Sequence, residues 1–79
     1  MTVEIRCYTT LREKLPAEAE RGVLNYQLKG EKTIKDLIES LNLPYEELHL
    51  IIVNGKQADL DKEIKDGDRI GFFPPVGGG

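Results

Sequence analysis

The chain has one amphipathic helical segment among several strand-like segments, and this imbalance restricts its fold more than any other feature. Apolar residues recur there at the spacing of one helix face: Ile34, Leu37, Ile38 and Leu41. Thr33 precedes them as a candidate N-cap, and Asp36 stands where it can complete a capping box. Pro44 is expected to end the helix. Because one helix covers one face of a sheet, the other segments must supply that sheet.

Five short segments have the alternation or composition of strands. They are residues 2–8, 23–28, 50–53, 56–58 and 69–73. The third is an unbroken apolar run, Leu50 to Val53, which predicts a strand covered on both faces. Asn54-Gly55 follows it and predicts a tight hairpin, since both residues tolerate positive φ. Asp66-Gly67 predicts a turn before the last strand.

Three shorter patterns predict single helical turns. Thr10 and Glu13 have the spacing of a capping box for a short helix that Pro16 stops, with a loop over residues 16–22. A second turn is predicted at residues 45–48, and Leu60 and Ile64 suggest a third. The resulting order of elements predicts an α+β fold of the β-grasp type, a mixed five-stranded sheet packed on one main helix.

Length and charge exclude several classes of function. Seventy-nine residues form one small domain, and a net charge of −3 without a basic run argues against nucleic acid or an anionic membrane as partner. No apolar run approaches the roughly 20 residues that span a bilayer, and the first residues lack the pattern of a secretory signal. One cysteine and one histidine cannot build a zinc or iron–sulfur site. The chain is therefore expected to be cytoplasmic, where thiols stay reduced.

The other polar candidates have plain structural interpretations. Cys7 alternates with Val3 and Ile5 and is predicted to be a buried, unreactive thiol, and His49 is predicted to lie on the surface. The acidic residues after the hairpin lack the spacing of a calcium loop, so they are interpreted as solvated turn residues: Asp59, Asp61, Glu63, Asp66 and Asp68.

The end of the chain carries the strongest functional signal. Alternation in the last strand places Ile70 and Phe72 inward and Phe73 outward, although Phe73 could instead cap the core. Pro74-Pro75 then favours a stiff, extended segment. The predicted division is a β-grasp domain over residues 1–73 and an extended tail over residues 74–79, which reaches roughly 20 Å. An outward Phe beside such a tail is typical of an interaction surface.

Three stretches together resemble a known family. They are Val53-Asn-Gly, Lys65-Asp-Gly-Asp-Arg-Ile and Phe72-Phe-Pro-Pro-Val-Gly-Gly-Gly79. Over its whole length the chain is similar to the small sulfur-carrier proteins of ubiquitin fold, which include the small subunit of molybdopterin synthase and the thiamine sulfur carrier. The combination is more specific than an Asp-Gly-Asp or a terminal Gly-Gly alone.

The resemblance implies a carrier that is not catalytic by itself. An activating enzyme would use ATP to adenylate the carboxylate of Gly79, and a sulfur donor enzyme would convert it to a thiocarboxylate. Gly78 would allow approach through a narrow slot, and no cofactor would be bound stably. The receiving partner would be the large subunit of molybdopterin synthase, or alternatively thiazole synthase. The implied partner-binding residues are Phe73, Pro74, Pro75, Val76 and Gly77.

Alternatives to the molybdopterin role follow from the same end of the chain. Gly77 stands where the molybdopterin branch would have Ser, Ala or Thr, and the ending Val-Gly-Gly-Gly is closer to the thiamine branch. A ubiquitin-like modifier would use the same adenylated glycine to form isopeptide bonds. A plain binding module would have an incidental tail.

Overall fold

The last strand of the chain lies in the middle of the sheet. The computed structural model describes residues 1–75, and the elements within them are β1 (Thr2–Cys7), β2 (Val23–Gln27), α1 (Ile34–Ser40), β3 (Leu50–Val53), β4 (Lys56–Gln57) and β5 (Arg69–Phe73). Two 3₁₀ helices occupy Thr9–Lys14 and Tyr45–Glu47. The strands lie in the order β2-β1-β5-β3-β4. β1 and β5 are parallel, and every other neighbouring pair is antiparallel. The predicted mixed five-stranded sheet on one helix, the β-grasp fold, is confirmed.

One face of this sheet and α1 enclose the core. Strand alternation and the helix stripe contribute most of it, and Phe72 is its largest fully buried side chain. The buried apolar residues are Val3, Ile5, Cys7, Leu11, Leu15, Leu24, Ile34, Leu37, Ile38, Leu43, Ile51, Val53, Ile64, Ile70 and Phe72. No helix within residues 1–75 is long and apolar enough to cross a membrane.

The predicted capping box starts α1. The Asp36 N–H donates to Oγ1 of Thr33 at 3.3 Å, and the Thr33 N–H donates to the Asp36 carboxylate at 3.2 Å. The helix ends earlier than predicted, because Asn42 adopts a left-handed φ of 55° and the Leu43 N–H bonds the Ile38 carbonyl at 3.0 Å. This closing turn is a Schellman motif, so it ends the helix before Pro44 is reached.

Two of the three predicted helical turns are confirmed as the 3₁₀ helices, whereas the capping box of the first and the helical turn between Leu60 and Ile64 are wrong. The first 3₁₀ helix begins at Thr9 after the N-cap Tyr8, which makes no side-chain cap hydrogen bond, so Thr10 lies inside the helix and cannot start a capping box. Between Leu60 and Ile64 the chain makes a turn and no helix.

The segment between Leu60 and Ile64 supplies hydrogen-bond partners to the start of α1. The Lys35 N–H donates to the Leu60 carbonyl at 2.9 Å, and the Ile34 N–H donates to the Lys62 carbonyl at 3.0 Å. The first N–H groups of a helix lack partners within it, and here the carbonyls of this turn satisfy two of them. This use of its carbonyls explains why the segment is not helical.

The motifs Asn54-Gly55 and Lys65-Asp-Gly-Asp-Arg meet at the start of β5. The Asn54 amide nitrogen donates to the Asp68 carboxylate at 2.9 Å, and the Arg69 N–H donates to the Asn54 amide oxygen at 2.9 Å. Asp68 also accepts from the Lys65 N–H at 2.8 Å. The prediction that Asp68 is a solvated turn residue is therefore wrong, since its side chain is buried and bonded. The φ values of Asn54 and Gly55, 52° and 84°, confirm the predicted tight hairpin.

Candidate functional site

The C-terminal end of β5 carries the candidate site, because the tail starts there. Ile70 and Phe72 are fully buried in the core, and Phe73 lies half-buried on the opposite, outer face of the sheet. This alternation was predicted, and it shows that Phe73 does not cap the core. Parallel pairing sets Phe72 beside Cys7 of β1, and antiparallel pairing sets Phe73 beside Leu50 of β3.

The ring of Phe73 stacks on the ring of Tyr8. Their centroids are 4.3 Å apart and the ring planes differ by 7°. The backbone is held from both sides at the same place: the Tyr8 N–H donates to the Phe72 carbonyl at 3.3 Å, and the His49 N–H donates to the Phe73 carbonyl at 2.8 Å. The residue from which the tail departs is therefore fixed by both neighbouring parts of the chain.

Gly71 makes room for this stack. A Cβ atom at Gly71 would lie 3.4 Å from Cε1 of Phe73 and 3.5 Å from Cε2 of Tyr8, so the two rings lie directly over its backbone. The rings bury Gly71 on the outer face, where it offers no side chain of its own. Aromatic pairs contribute about 0.5–1.5 kcal/mol beyond the area that they bury, so the stack also stabilises the end of β5.

An apolar surface surrounds the start of the tail. Its half-buried members share the outer face of β1, β3 and β5, and we call them the outer apolar patch: Tyr8, Leu50, Ile52 and Phe73. The prediction that the Leu50–Val53 strand is covered on both faces is therefore wrong. Ile51 and Val53 enter the core, but no described element of the chain packs over the other face. Such patches often mark interaction sites.

Charged residues border the outer apolar patch along β1 and β5. The Glu4 carboxylate lies 2.6 Å from Nε of Arg6 and 3.1 Å from Nε of Arg69. The hydrogen bond from Arg6 is the main cause of a lowered Glu4 pKa, and Arg69 adds to it. An apolar centre with a polar rim is the usual arrangement of a docking surface between proteins.

The predicted tail residues are only partly within the described chain. Pro74 is half-buried beside the outer apolar patch, and Pro75 is exposed. Four predicted site residues lie outside the described residues: Val76, Gly77, Gly78 and Gly79. Their roles, and the binding roles of Phe73, Pro74 and Pro75, stay predictions.

The other candidates do not form a site within residues 1–75. Cys7 is 2% exposed, and burial raises the pKa of its thiol to about 11, which keeps it protonated and unreactive. His49 is exposed, as predicted, and contributes through its backbone N–H. The described part of the chain contains no group of three His, Cys, Asp or Glu side chains placed to hold a metal ion.

Comparison with known proteins gives the family. Residues 1–77 match the family described as Mut7-C ubiquitin. The chain belongs to this family. No curated protein matches the chain.

Solved structures agree with the ubiquitin-like family. SAMP1 from Haloferax volcanii has 22% identity and a TM-score of 0.72, and the match covers 100% of both chains. A Pyrococcus furiosus protein assigned as molybdopterin converting factor subunit 1 has 28% identity and a TM-score of 0.70, over 95% of this chain and 98% of that chain. A complex of subunits 1 and 2 of the molybdopterin-converting factor from Helicobacter pylori has 25% identity and a TM-score of 0.65, over 100% of both chains.

These matches confirm the predicted resemblance to the ubiquitin-like sulfur-carrier family. The chain has the fold shared by sulfur carriers and protein modifiers of this type.

Sequence reasoning missed three members of the outer apolar patch in this Mut7-C ubiquitin chain. Alternation along β1 sets Tyr8 on the polar side of the strand with Glu4 and Arg6, and the local sequence does not show that Tyr8 lies beside Phe73 of β5. The prediction of a strand over Leu50 to Val53 is confirmed. Because one helix can cover only one of the two faces of the sheet, the sequence did contain a signal that Leu50 and Ile52 stay partly exposed.

Proposed function

We propose that this chain carries sulfur as a thiocarboxylate on Gly79 and donates it in molybdopterin biosynthesis, as the small subunit of molybdopterin synthase. The observation that carries the proposal is the position of the tail. It leaves the central strand from the outer apolar patch, at Phe73, whose ring and carbonyl are both held in place. A partner that binds the patch therefore lies beside Pro74 and Pro75, where the tail begins.

The proposed chemistry needs no catalytic group on this chain. A carboxylate is a poor electrophile, so an activating enzyme first joins it to AMP from ATP and releases pyrophosphate. The terminal sulfur of a donor persulfide then attacks the acyl carbon, and AMP leaves. Two thiols then reduce the resulting acyl disulfide. The first bonds to the donor's sulfur and displaces the thiocarboxylate on Gly79, and the second forms a disulfide with the first and releases the donor as a free thiol.

The proposed large-subunit partner is supported by two neighbours. The Pyrococcus furiosus protein is assigned as a first subunit of a molybdopterin converting factor, and the Helicobacter pylori structure is a complex of the first and second subunits. We expect the same class of partner to cover the outer apolar patch here. Ordering a glycine-rich tail costs about 1–2 kcal/mol per residue, and the apolar contacts at Tyr8 and Phe73 offset that cost.

The test is the intact mass of the purified chain after incubation with ATP, a cognate activating enzyme and a sulfide source. The expected result is a gain equal to the replacement of one oxygen by sulfur, located on the C-terminal peptide. No gain, with the same enzyme active on a known carrier, would refute the proposal and favour the plain binding module.

Two alternatives share the adenylated glycine. A sulfur carrier for thiamine thiazole or another sulfur-transfer pathway would show the same gain in mass, and adding either thiazole synthase or the molybdopterin synthase large subunit separates the pathways by the product formed. A ubiquitin-like modifier would appear in cell extracts as conjugates to other proteins. One structural neighbour is named small archaeal modifier protein 1, at 21% identity, a likeness that supports only the shared fold.

A further inference from the structure

The two edges of the sheet differ in how they are protected. β4 is two residues long and contains Lys56, and short length and lysine both discourage pairing with another chain. β2 is five residues long, and residues 23–28 contain no charged residue, proline or glycine. An uncharged edge of this kind is a template for another strand.

The direction of the β2 backbone groups follows from its pairing with β1. The Cys7 N–H donates to the Gly22 carbonyl at 2.8 Å, and the Leu28 N–H donates to the Met1 carbonyl at 2.8 Å. Since bonded pairs alternate along an antiparallel ladder, the even-numbered residues of β2 bond to β1. The odd-numbered residues direct their N–H and C=O groups away from the sheet; they are Val23, Asn25 and Gln27.

One of these three outward positions is already occupied. Val23 exchanges two hydrogen bonds with Glu20, each of 2.9 Å, where the preceding loop folds over the edge. Asn25 and Gln27 remain, and their side chains are exposed. The free edge thus offers four backbone groups, two donors and two acceptors, in the fixed spacing of a strand.

We propose that β2 pairs antiparallel with β2 of a second copy of this chain, which joins two sheets into one of ten strands. The two-fold axis passes at Tyr26, so that Asn25 of one copy lies opposite Gln27 of the other. In this register the outward N–H and C=O groups of both residues bond across the axis, and four hydrogen bonds form between the copies. Centring the axis on Asn25 would require Val23 to bond the second copy, and its groups are already used by Glu20.

The side chains are compatible with this register. On the inner face Tyr26 lies beside its symmetry mate, and both Tyr26 and Leu28 are partly buried residues that gain further cover. On the outer face the amide of Asn25 meets the amide of Gln27, and no like charges face each other.

The path of the chain beyond the paired segment favours a second copy over a longer unrelated strand. Glu20 occupies the place beside Val23, so a partner strand has to turn away from the edge there. In the proposed register the residue opposite Val23 is Lys29 of the second copy, and the chain bends at Lys29-Gly30, where Gly30 has a φ of 110°. Two-fold symmetry repeats this fit at the other end of the interface.

The proposed interface does not compete with the sulfur-carrier proposal. β1 separates β2 from β5, so the outer apolar patch and the start of the tail stay uncovered in the dimer. Failure of one proposal therefore leaves the other standing.

The test is sedimentation velocity of the full chain from about 10 µM to 1 mM, with the amide exchange of Asn25 and Gln27 measured alongside by NMR. Mass action predicts a rise from 8.9 kDa towards twice that mass, with slower exchange of both amides as the concentration rises. A chain that stays at 8.9 kDa over this range, with fast exchange of both amides, would overturn the proposal.

The matched variants are Asn25→Pro and Gln57→Pro. Each removes an N–H that points out of a sheet edge, a position that tolerates proline. Asn25→Pro removes two of the four bonds between copies and is expected to weaken association at least tenfold, whereas Gln57→Pro, on the β4 edge, should leave it unchanged. Equal association in the two variants would contradict the proposed register.

A second variant covers the case in which Asn25→Pro does not fold. Asn25→Lys combined with Gln27→Lys keeps the backbone donors but sets lysines opposite each other in both cross-axis pairs. We expect a monomer at low salt and partial recovery of the dimer at about 1 M salt, where the Debye length falls to about 3 Å. Dimerisation that is unchanged at low salt would rule out this edge.

Discussion

Replacing Asn54 tests whether the contact between the hairpin and the start of β5 stabilises the fold. Its amide donates to the Asp68 carboxylate and accepts from the Arg69 N–H, both at 2.9 Å. A hydrogen bond to a charged group contributes about 1.5–3 kcal/mol and a neutral one about 0.5–1.5 kcal/mol. Asn54→Gly removes both bonds, retains the positive φ, and should lower the free energy of unfolding by about 2–4 kcal/mol.

Asn54→Ala adds a backbone penalty to the same loss. The φ of Asn54 is 52°, a left-handed conformation that costs a residue with a Cβ about 1–2 kcal/mol. The alanine variant should therefore be about 1–2 kcal/mol less stable than the glycine variant. At about 0.05–0.15 kcal/mol per residue, 79 residues have a total stability of about 4–12 kcal/mol, so Asn54→Ala removes a large part of it.

Asn42 provides the matched control, since its φ is 55° and its side chain makes no hydrogen bond within the described residues. Urea unfolding followed by circular dichroism measures all four variants. Asn42→Gly should stay within about 0.5 kcal/mol of the wild type, and Asn42→Ala should lose about 1–2 kcal/mol. An Asn54→Gly variant as stable as the wild type would refute the contribution of the two side-chain hydrogen bonds. Equal stability of Asn54→Gly and Asn54→Ala would refute the predicted cost of a left-handed φ at this position.

Four further predictions concern the core, the patch, the tail and acid stability. Phe72→Ala empties a fully buried site and should cost about 3–5 kcal/mol in urea unfolding; a loss below 1 kcal/mol would contradict the packing. Phe73→Asp should cost only about 1 kcal/mol of stability but raise the KM for the chain at least tenfold in an adenylation assay, and an unchanged KM would exclude the patch as a docking surface. Gly79→Ala should leave stability unchanged and slow adenylation in a pyrophosphate-release assay. Activation at the wild-type rate would refute the prediction that the end of the chain has to pass through a narrow slot. Burial raises the pKa of Glu31, but hydrogen bonds from Tyr26 and from the Lys29 N–H lower it to about 2, below the ordinary 4.5. The contribution of Glu31 to the free energy of unfolding is therefore present above about pH 5 and is lost as the pH falls towards 2. The stability difference between wild type and Glu31→Gln should shrink over that range, and a constant difference would contradict the assignment.

Local features of the fold could be predicted because they depend on neighbouring residues. The capping box of Thr33 and Asp36 and the hairpin at Asn54-Gly55 each depend on a few consecutive positions, and both are confirmed. The ends of β5 were also predicted correctly, since a turn precedes the strand and prolines follow it. The inward direction of Phe72 follows from alternation alone.

Features that depend on distant partners could not be predicted. The spacing of Leu60 and Ile64 resembles a helical turn, but the carbonyl of Leu60 is used by α1. Asp68 was interpreted as solvated because its partner Asn54 is fourteen residues away. The stack of Tyr8 on Phe73 depends on the parallel pairing of β1 with β5, a long-range contact that neither segment encodes by itself.

The central position of β5 determines what trimming from the C-terminus can do to this chain. Among the described strands, β2 and β1 form one hairpin-like half, β3 and β4 form the other, and β5 alone bonds to both halves. A protease that removes the whole of β5, from Arg69 onwards, would leave two halves that share no ladder of hydrogen bonds. Such a product loses its fold as well as its tail, so it cannot persist as a folded chain that lacks the tail.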